Sequence, residues 1–161
     1  MIAEGVMGLF DGAADGTGST ADAAALLGWP VVLVIDVQGQ SASAAAVVEG
    51  FARHRGDVTV GGVIFNRVSG ERHQRMLEAA IAPTGIPCLG CVPRSSELDL
   101  PSRHLGLVQA REHSDVHSWV ARVATIVGNA VDLDRLANLA AAPPPATPKP
   151  ALASLCSLGL H

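Results

Sequence analysis

Tyrosine is absent from these 161 residues, and two tryptophans and three phenylalanines supply all the aromatic rings. So few rings exclude a base-stacking surface for single-stranded nucleic acid. No lysine and arginine cluster compensates. The formal net charge is -4, which argues against a nucleic-acid footprint. No apolar run approaches the roughly 18 residues of a membrane span, and no basic segment with an apolar core opens the chain as a secretory signal would. Cysteine is sparse and odd in number, at Cys88, Cys91 and Cys156. That count fits a reducing, cytoplasmic setting better than a disulfide framework.

What is present is apolar: 48% of the residues, enough for one core and one domain. "MIAEG" opens the chain as a short strand candidate. "GSTADAAALLG" reads as a helix with Ser19 and Thr20 as N-cap candidates and Gly28 as its stop. "PVVLVIDV" is a β-branched run of the kind buried on both faces of a sheet. "SASAAAVVEGFARH" reads as a helix with Val47, Val48 and Phe51 on one side and Ser41 and Ser43 as capping residues. "VTVGGVIFNRV" is another buried strand. "SGERHQRMLEAAIAPTG" is a helix starting near Ser69 and stopped by Pro83 and Gly85, and "IPCLGCVP" is a fourth strand. In "SDVHSWVARVATIVGNAV", Trp119, Val123, Ile126 and Val127 fall on one helical face.

Alternating strands and helices predict an α/β fold with an open, mainly parallel sheet in three layers. Ligands of such sheets bind outside the carboxyl ends of the strands. Four polar groups are expected there: Glu4 and Asp11 after the first strand, Asp36 after the second and Asn66 after the third. Gly5, Gly8 and Gly12 let the opening loop "EGVMGLFDG" fold back and bring Glu4 and Asp11 towards one point. Two hard carboxylates suit Mg²⁺, which takes one or two and keeps waters; a solvated acidic loop is the bland alternative. Strand alternation sends Cys88 and Cys91 to opposite faces, so they are expected neither to share a metal nor to close a disulfide easily. His54, His73, His113 and His117 lack ligand spacing and are expected to be solvated.

"EGVMGLFDG", "STADAAALLGWPVVLVIDVQGQSASAAAVVEGF", "VGGVIFNRV" and "LPSRHLGLV" together resemble cobyrinic acid a,c-diamide synthases, from residue 1 to about residue 135. The resemblance implies a sheet of the P-loop and dethiobiotin synthetase type and an ATP-dependent amidotransferase. Such an enzyme phosphorylates the a and c carboxylates of cobyrinate or hydrogenobyrinate in corrin (cobalamin) biosynthesis. Ammonia from glutamine then displaces the phosphate. On that resemblance Glu4 and Asp11 belong to the catalytic region, with Glu4 a Mg²⁺ ligand, and Asn66 contacts the adenine of ATP. Arg103, beside His104 in "PSRHLGLV", is a further candidate for binding nucleotide phosphate or substrate carboxylate.

Two departures stand out. The phosphate-loop pattern G-x-x-x-x-G-K-[ST] is absent and, on the resemblance, is expected upstream of Met1, leaving the domain incomplete at its N-terminus. No glutaminase signature follows the expected synthetase region, 1–142; residues 143–161 read as a Pro/Ala-rich linker or tail. Expected partners are a corrin acid, a glutaminase domain or subunit, and a second copy of the chain in a homodimer, with neither nucleic acid nor membrane. By itself such a chain is expected to be inactive. The alternative reading is a nonenzymatic remnant or interaction module that keeps the α/β fold.

Overall fold

Three apolar runs become three parallel strands. The computed structural model describes residues 1–98 and 116–141. Strand β1 spans Val31–Asp36, β2 Val60–Val68 and β3 Cys88–Pro93, hydrogen-bonded in the order β1-β2-β3. Both pairings are parallel, so each connection crosses over through a helix. Helix α1 (Thr20–Leu27) precedes β1, α2 (Ser43–His54) joins β1 to β2, and α3 (Glu71–Ile81) joins β2 to β3. After β3 come α4 (Val116–Ala130) and α5 (Leu133–Ala141). The open parallel α/β sheet is as the sequence indicates.

Local chemistry sets several boundaries. Ser19 caps α1: its hydroxyl accepts from the Asp22 N–H at 3.1 Å, and the Asp22 carboxylate accepts the Ser19 N–H at 3.0 Å. This reciprocal capping box satisfies two donors that the first turn leaves open. Gly28 ends the helix in the left-handed region, φ 64°, where a side chain would be strained. Helix α2 differs from expectation, because its cap position is Ala42 and neither Ser41 nor Ser43 caps it. Its inner face is Ala44 and Val48, with Phe51 packed against the core. Val47 lies at the margin, 36% exposed. Along α4, Trp119, Val123, Ile126 and Val127 are the less exposed positions, as their spacing predicts.

Val63 and Phe65 of β2, Val48 of α2 and Leu77 of α3 are completely buried in the main core. Burying each such side chain contributes roughly 1.5–3 kcal/mol. Strand β1 departs from the expected two-sided burial: Leu33 faces the core, but Val34 is 63% exposed. Val32, on that same second face, is only partly buried. Residues 1–5 form no strand. Met1 and Ile2 are almost fully exposed, and no described strand offers them a hydrogen-bonding ladder. The sheet therefore has three strands among the described residues, and "IPCLGCVP" is the third.

The cysteine expectation is overturned by a bulge. Cys88 lies opposite Val63, but Gly90 lies opposite Ile64, the very next residue of β2. Leu89 is thus the extra residue, which restores even spacing between the two cysteines. Both join the core side of the sheet, with their sulfurs 4.0 Å apart. On the opposite side of this kink, Leu89 O accepts the Asp132 N–H at 2.7 Å, and Gly90 bridges Val131. These bonds tie the start of α5 to β3.

Candidate functional site

Asp36 and Asn66 are register partners at the carboxyl ends of β1 and β2. Beyond Asn66, strand β2 carries an irregularity before it ends at Val68. Arg67 has φ 61°, the only positive value for a non-glycine among the described residues. An arginine there carries about 1–2 kcal/mol of steric cost, so its surroundings must hold it. Asn66 Oδ1 accepts the Arg67 N–H at 2.9 Å, and Arg67 Nη1 donates to Asp36 Oδ2 at 3.1 Å and to Gln38 Oε1 at 3.4 Å. Asp36 Oδ1 accepts the Gln38 N–H at 3.0 Å, so the carboxylate is held from both sides. The irregularity interrupts the ladder between Phe65 and Val68. Bulges of this kind recur beside active sites because they redirect side chains out of the sheet.

His73 on α3 is not solvated as the sequence suggests. Its Nδ1 accepts the Ser69 N–H at 3.1 Å, and its Nε2 donates to Gln40 O at 2.6 Å. The ring thereby fixes the β1–α2 loop against the β2–α3 turn, in the tautomer with the proton on Nε2. His54 is also engaged, its ring 4.5 Å from that of Phe10. Beyond Val68, the Arg94 N–H donates to Val68 O at 2.9 Å. An open cleft of about 480 Å³ lies alongside, lined by Val68, Glu71, Cys91, Pro93 and Asn129. The N-termini of α2 and α3 reach this end of the sheet without side-chain caps; in α2 the Ala44 and Ala45 N–H groups donate instead to the Ser41 and Ala42 carbonyls.

The opening loop is built differently. Leu9 is buried in the core, and its carbonyl accepts the Ala21 N–H at 2.8 Å. The Phe10 ring stacks on Phe51, with centroids 5.7 Å apart. Asp11 turns back on its own loop, where Oδ2 accepts the Gly8 N–H and Gly8 O accepts the Asp11 N–H, both at 3.0 Å. A Cβ on Gly8 would meet that carboxylate at 2.5 Å, so a larger residue there would displace the Asp11 side chain from this turn. Glu4 is exposed and makes no hydrogen bond or ion pair among the described residues. It is not at a strand end, because residues 1–5 form no strand. The loop sits against the C-terminal half of α2, whereas Asp36 and Asn66 stand where the chain leaves β1 and β2. No bond joins the two groups. Of the four expected strand-end groups, the structure brings together Asp36 and Asn66, and it adds Arg67. Arg103 and His104 lie outside the described residues, as do His113 and Cys156.

Charge at the foot of the opening loop is well organised. Arg55 donates to Asp22 at 2.6 Å and to Asp57 at 2.8 Å. The Arg55 hydrogen bond, followed by the Ser19 N–H, holds the Asp22 carboxyl below its ordinary value. Among the described residues no three His, Cys, Asp or Glu side chains gather as a metal cage.

Residues 1–102 match the family described as AAA domain. The chain belongs to the AAA domain family. For an AAA domain the strand-end corner of Asp36, Asn66 and Arg67 is the natural place to seek ligand contacts, since connecting loops gather there. The chain is also similar to hydrogenobyrinate a,c-diamide synthases. With that of Brucella anthropi it is 53% identical over 139 residues, 86% of this chain and 32% of the relative. With that of Rhizobium meliloti it is 51% identical over 144 residues, 89% and 33% of the two chains. With that of Rhodobacter capsulatus it is 47% identical over 148 residues, 89% and 34%. The chain thus spans about a third of the length of these relatives. No solved structure matches it.

Arg67 is the site residue that sequence reasoning missed. The pattern "FNRVSG" contains it, but nothing in the letters announces an arginine with left-handed backbone.

Proposed function

We propose that this chain is the ATP-using synthetase region of a hydrogenobyrinate a,c-diamide synthase. The 53% identity over 139 residues with a relative of that name carries the reading. In this reaction a side-chain carboxylate oxygen of the corrin attacks the γ-phosphorus of ATP, ADP leaves, and an acyl phosphate forms. Ammonia released from glutamine then attacks the acyl carbon, and the C–O bond to phosphate breaks to give amide and inorganic phosphate. Activation is necessary because a carboxylate has no good leaving group. Preorganised donors at the transferring phosphoryl group stabilise the charge that develops there.

Asn66 is the adenine contact in this reading. Its Oδ1 is engaged by one N–H, which leaves a lone pair and both amide hydrogens for a base edge. Glu4 is the Mg²⁺ ligand in this reading, one carboxylate being enough for an ion that completes its shell with waters and nucleotide phosphates, while the Asp11 carboxylate shapes the loop through the Gly8 N–H. That ion would supply charge neutralisation at the phosphates. The exposed Glu4 carboxylate suits this role because no protein group competes for it.

The test is a chimera in which this chain replaces the matching third of the Brucella anthropi relative. Given hydrogenobyrinate, glutamine and Mg²⁺–ATP, it should form the a,c-diamide, identified by mass spectrometry. A folded chimera that binds no ATP and yields no diamide would favour the alternative, a nonenzymatic module that keeps the α/β sheet.

A further inference from the structure

The bulge at Leu89 creates a pair that neither the sheet nor the proposed synthetase reaction uses. Cys88 Sγ and Cys91 Sγ face each other at 4.0 Å on one side of β3. Cys88 is half-buried, whereas Cys91 is buried at the wall of the open cleft. We propose that Cys88 and Cys91 form a reversible dithiol–disulfide couple that exchanges with small-molecule disulfides, Cys88 attacking and Cys91 resolving.

The step balances. The Cys88 thiolate attacks one sulfur of the reagent R–S–S–R; the Cys88–S bond forms, the reagent's S–S bond breaks, and one RS⁻ departs to take up a proton. Cys91 then gives up its proton and attacks Cys88 Sγ, expelling the second RS⁻, which is protonated in turn. The protein dithiol is oxidised by two electrons, and the reagent is reduced to two thiols.

Three features support these roles. A thiolate is the nucleophile, and the hydrogen bond from Cys91 holds Cys88 below the ordinary thiol value, at about 7. Donation to Cys88, and after it burial, push Cys91 the other way, so it remains a thiol until the mixed disulfide forms beside it. Closing the bond shortens the sulfur–sulfur distance from 4.0 Å to about 2.05 Å, an approach that rotation of the two side chains must supply, since Leu89 and Gly90 are tied to Asp132 and Val131. Without Leu89 as the extra residue, the sulfurs would point to opposite faces. The closed bond would pin the bulge in the strand that leads to Pro93 and Arg94 beside the cleft.

The experiment uses the full chain carrying Cys156→Ser, which removes the third thiol, incubated with oxidised glutathione and then alkylated. Trypsin releases residues 76–94 as one peptide holding both cysteines. The expected product is this peptide lighter by its two thiol hydrogens, unalkylated, without a glutathione adduct, and restored by reduced glutathione. With Cys91→Ser added, the reaction should stop at one glutathione on Cys88. A persistent adduct on Cys88 while Cys91 is intact would overturn the proposal. So would failure of the folded chain to react when the urea-denatured chain does.

Discussion

Arg67 on β2 reaches across the strand ends to Asp36 on β1, Nη1 to Oδ2 at 3.1 Å, from a backbone in the left-handed region. Both side chains are about half exposed, so the ion pair itself adds little stability. The irregularity therefore rests on what surrounds it: the Asn66 cap, the ladder bonds on either side, and the His73 bridge. A costly backbone held beside two polar strand ends is a reason to look for function there.

That backbone makes a direct prediction. Arg67→Ala and Arg67→Gly both remove the contact with Asp36, but only glycine relieves the positive φ. The glycine variant should be more stable than the alanine variant by about 1 kcal/mol, measured by urea denaturation. Equal stability would mean that residue 67 is not left-handed in solution.

Asp22 predicts an acid-sensitive contribution. Its folded value is depressed, chiefly by Arg55. Its stabilisation is therefore complete above the ordinary value of 3.8 and is lost as pH falls through the lower folded value. Asp22→Asn keeps an N-terminal amide partner but removes the charge. The stability gap between wild type and this variant should be open near neutral pH and close in acid, followed by denaturation at each pH. A gap that stays constant would show that the Arg55 contact does not form.

Gly90 predicts a packing failure. A Cβ there would lie 2.8 Å from Val131 Cα and closer still to the Ala130 carbonyl, both backbone groups that cannot rotate away. Gly90→Ala should cost about 1–3 kcal/mol, the usual range for overpacking, and weaken the tie between α5 and β3. Hydrogen exchange at the Asp132 amide, which bonds Leu89 O, reads the second effect. Protection equal to wild type at that amide would rule it out.

Two substitutions test the proposed chemistry in the chimera. Glu4→Gln should lower the rate of diamide formation by about 10²-fold at saturating Mg²⁺–ATP, the usual cost of one preorganised electrostatic group. Asn66→Ala should raise the KM for ATP and narrow the preference for ATP over GTP. A rate near wild type for the first, or an unchanged nucleotide preference for the second, would remove that residue from the site.

The sequence by itself determined the elements whose cause is local. Continuous apolar runs became β1, β2 and β3, the Ser19 and Asp22 spacing became a capping box, and Gly28 ended α1, because hydropathy, capping and backbone permission act within a few residues. Asp36 and Asn66 were legible as a pair for the same reason: parallel strands deliver their carboxyl ends to one edge. Tertiary structure decided the rest. The opening "MIAEG" has strand composition, yet a strand exists only through a neighbour's hydrogen bonds, and none is present among the described residues. Val34 belongs to a run that reads as buried, but burial depends on what covers a face. Cys88 and Cys91 share a side only because β3 slips by one residue against β2 at Leu89, and that register is a property of two strands together. Arg67 turns left-handed because Asn66, Asp36 and the ladder around Val68 hold it there, and no letter in "FNRVSG" encodes a constraint whose parts lie on separate strands.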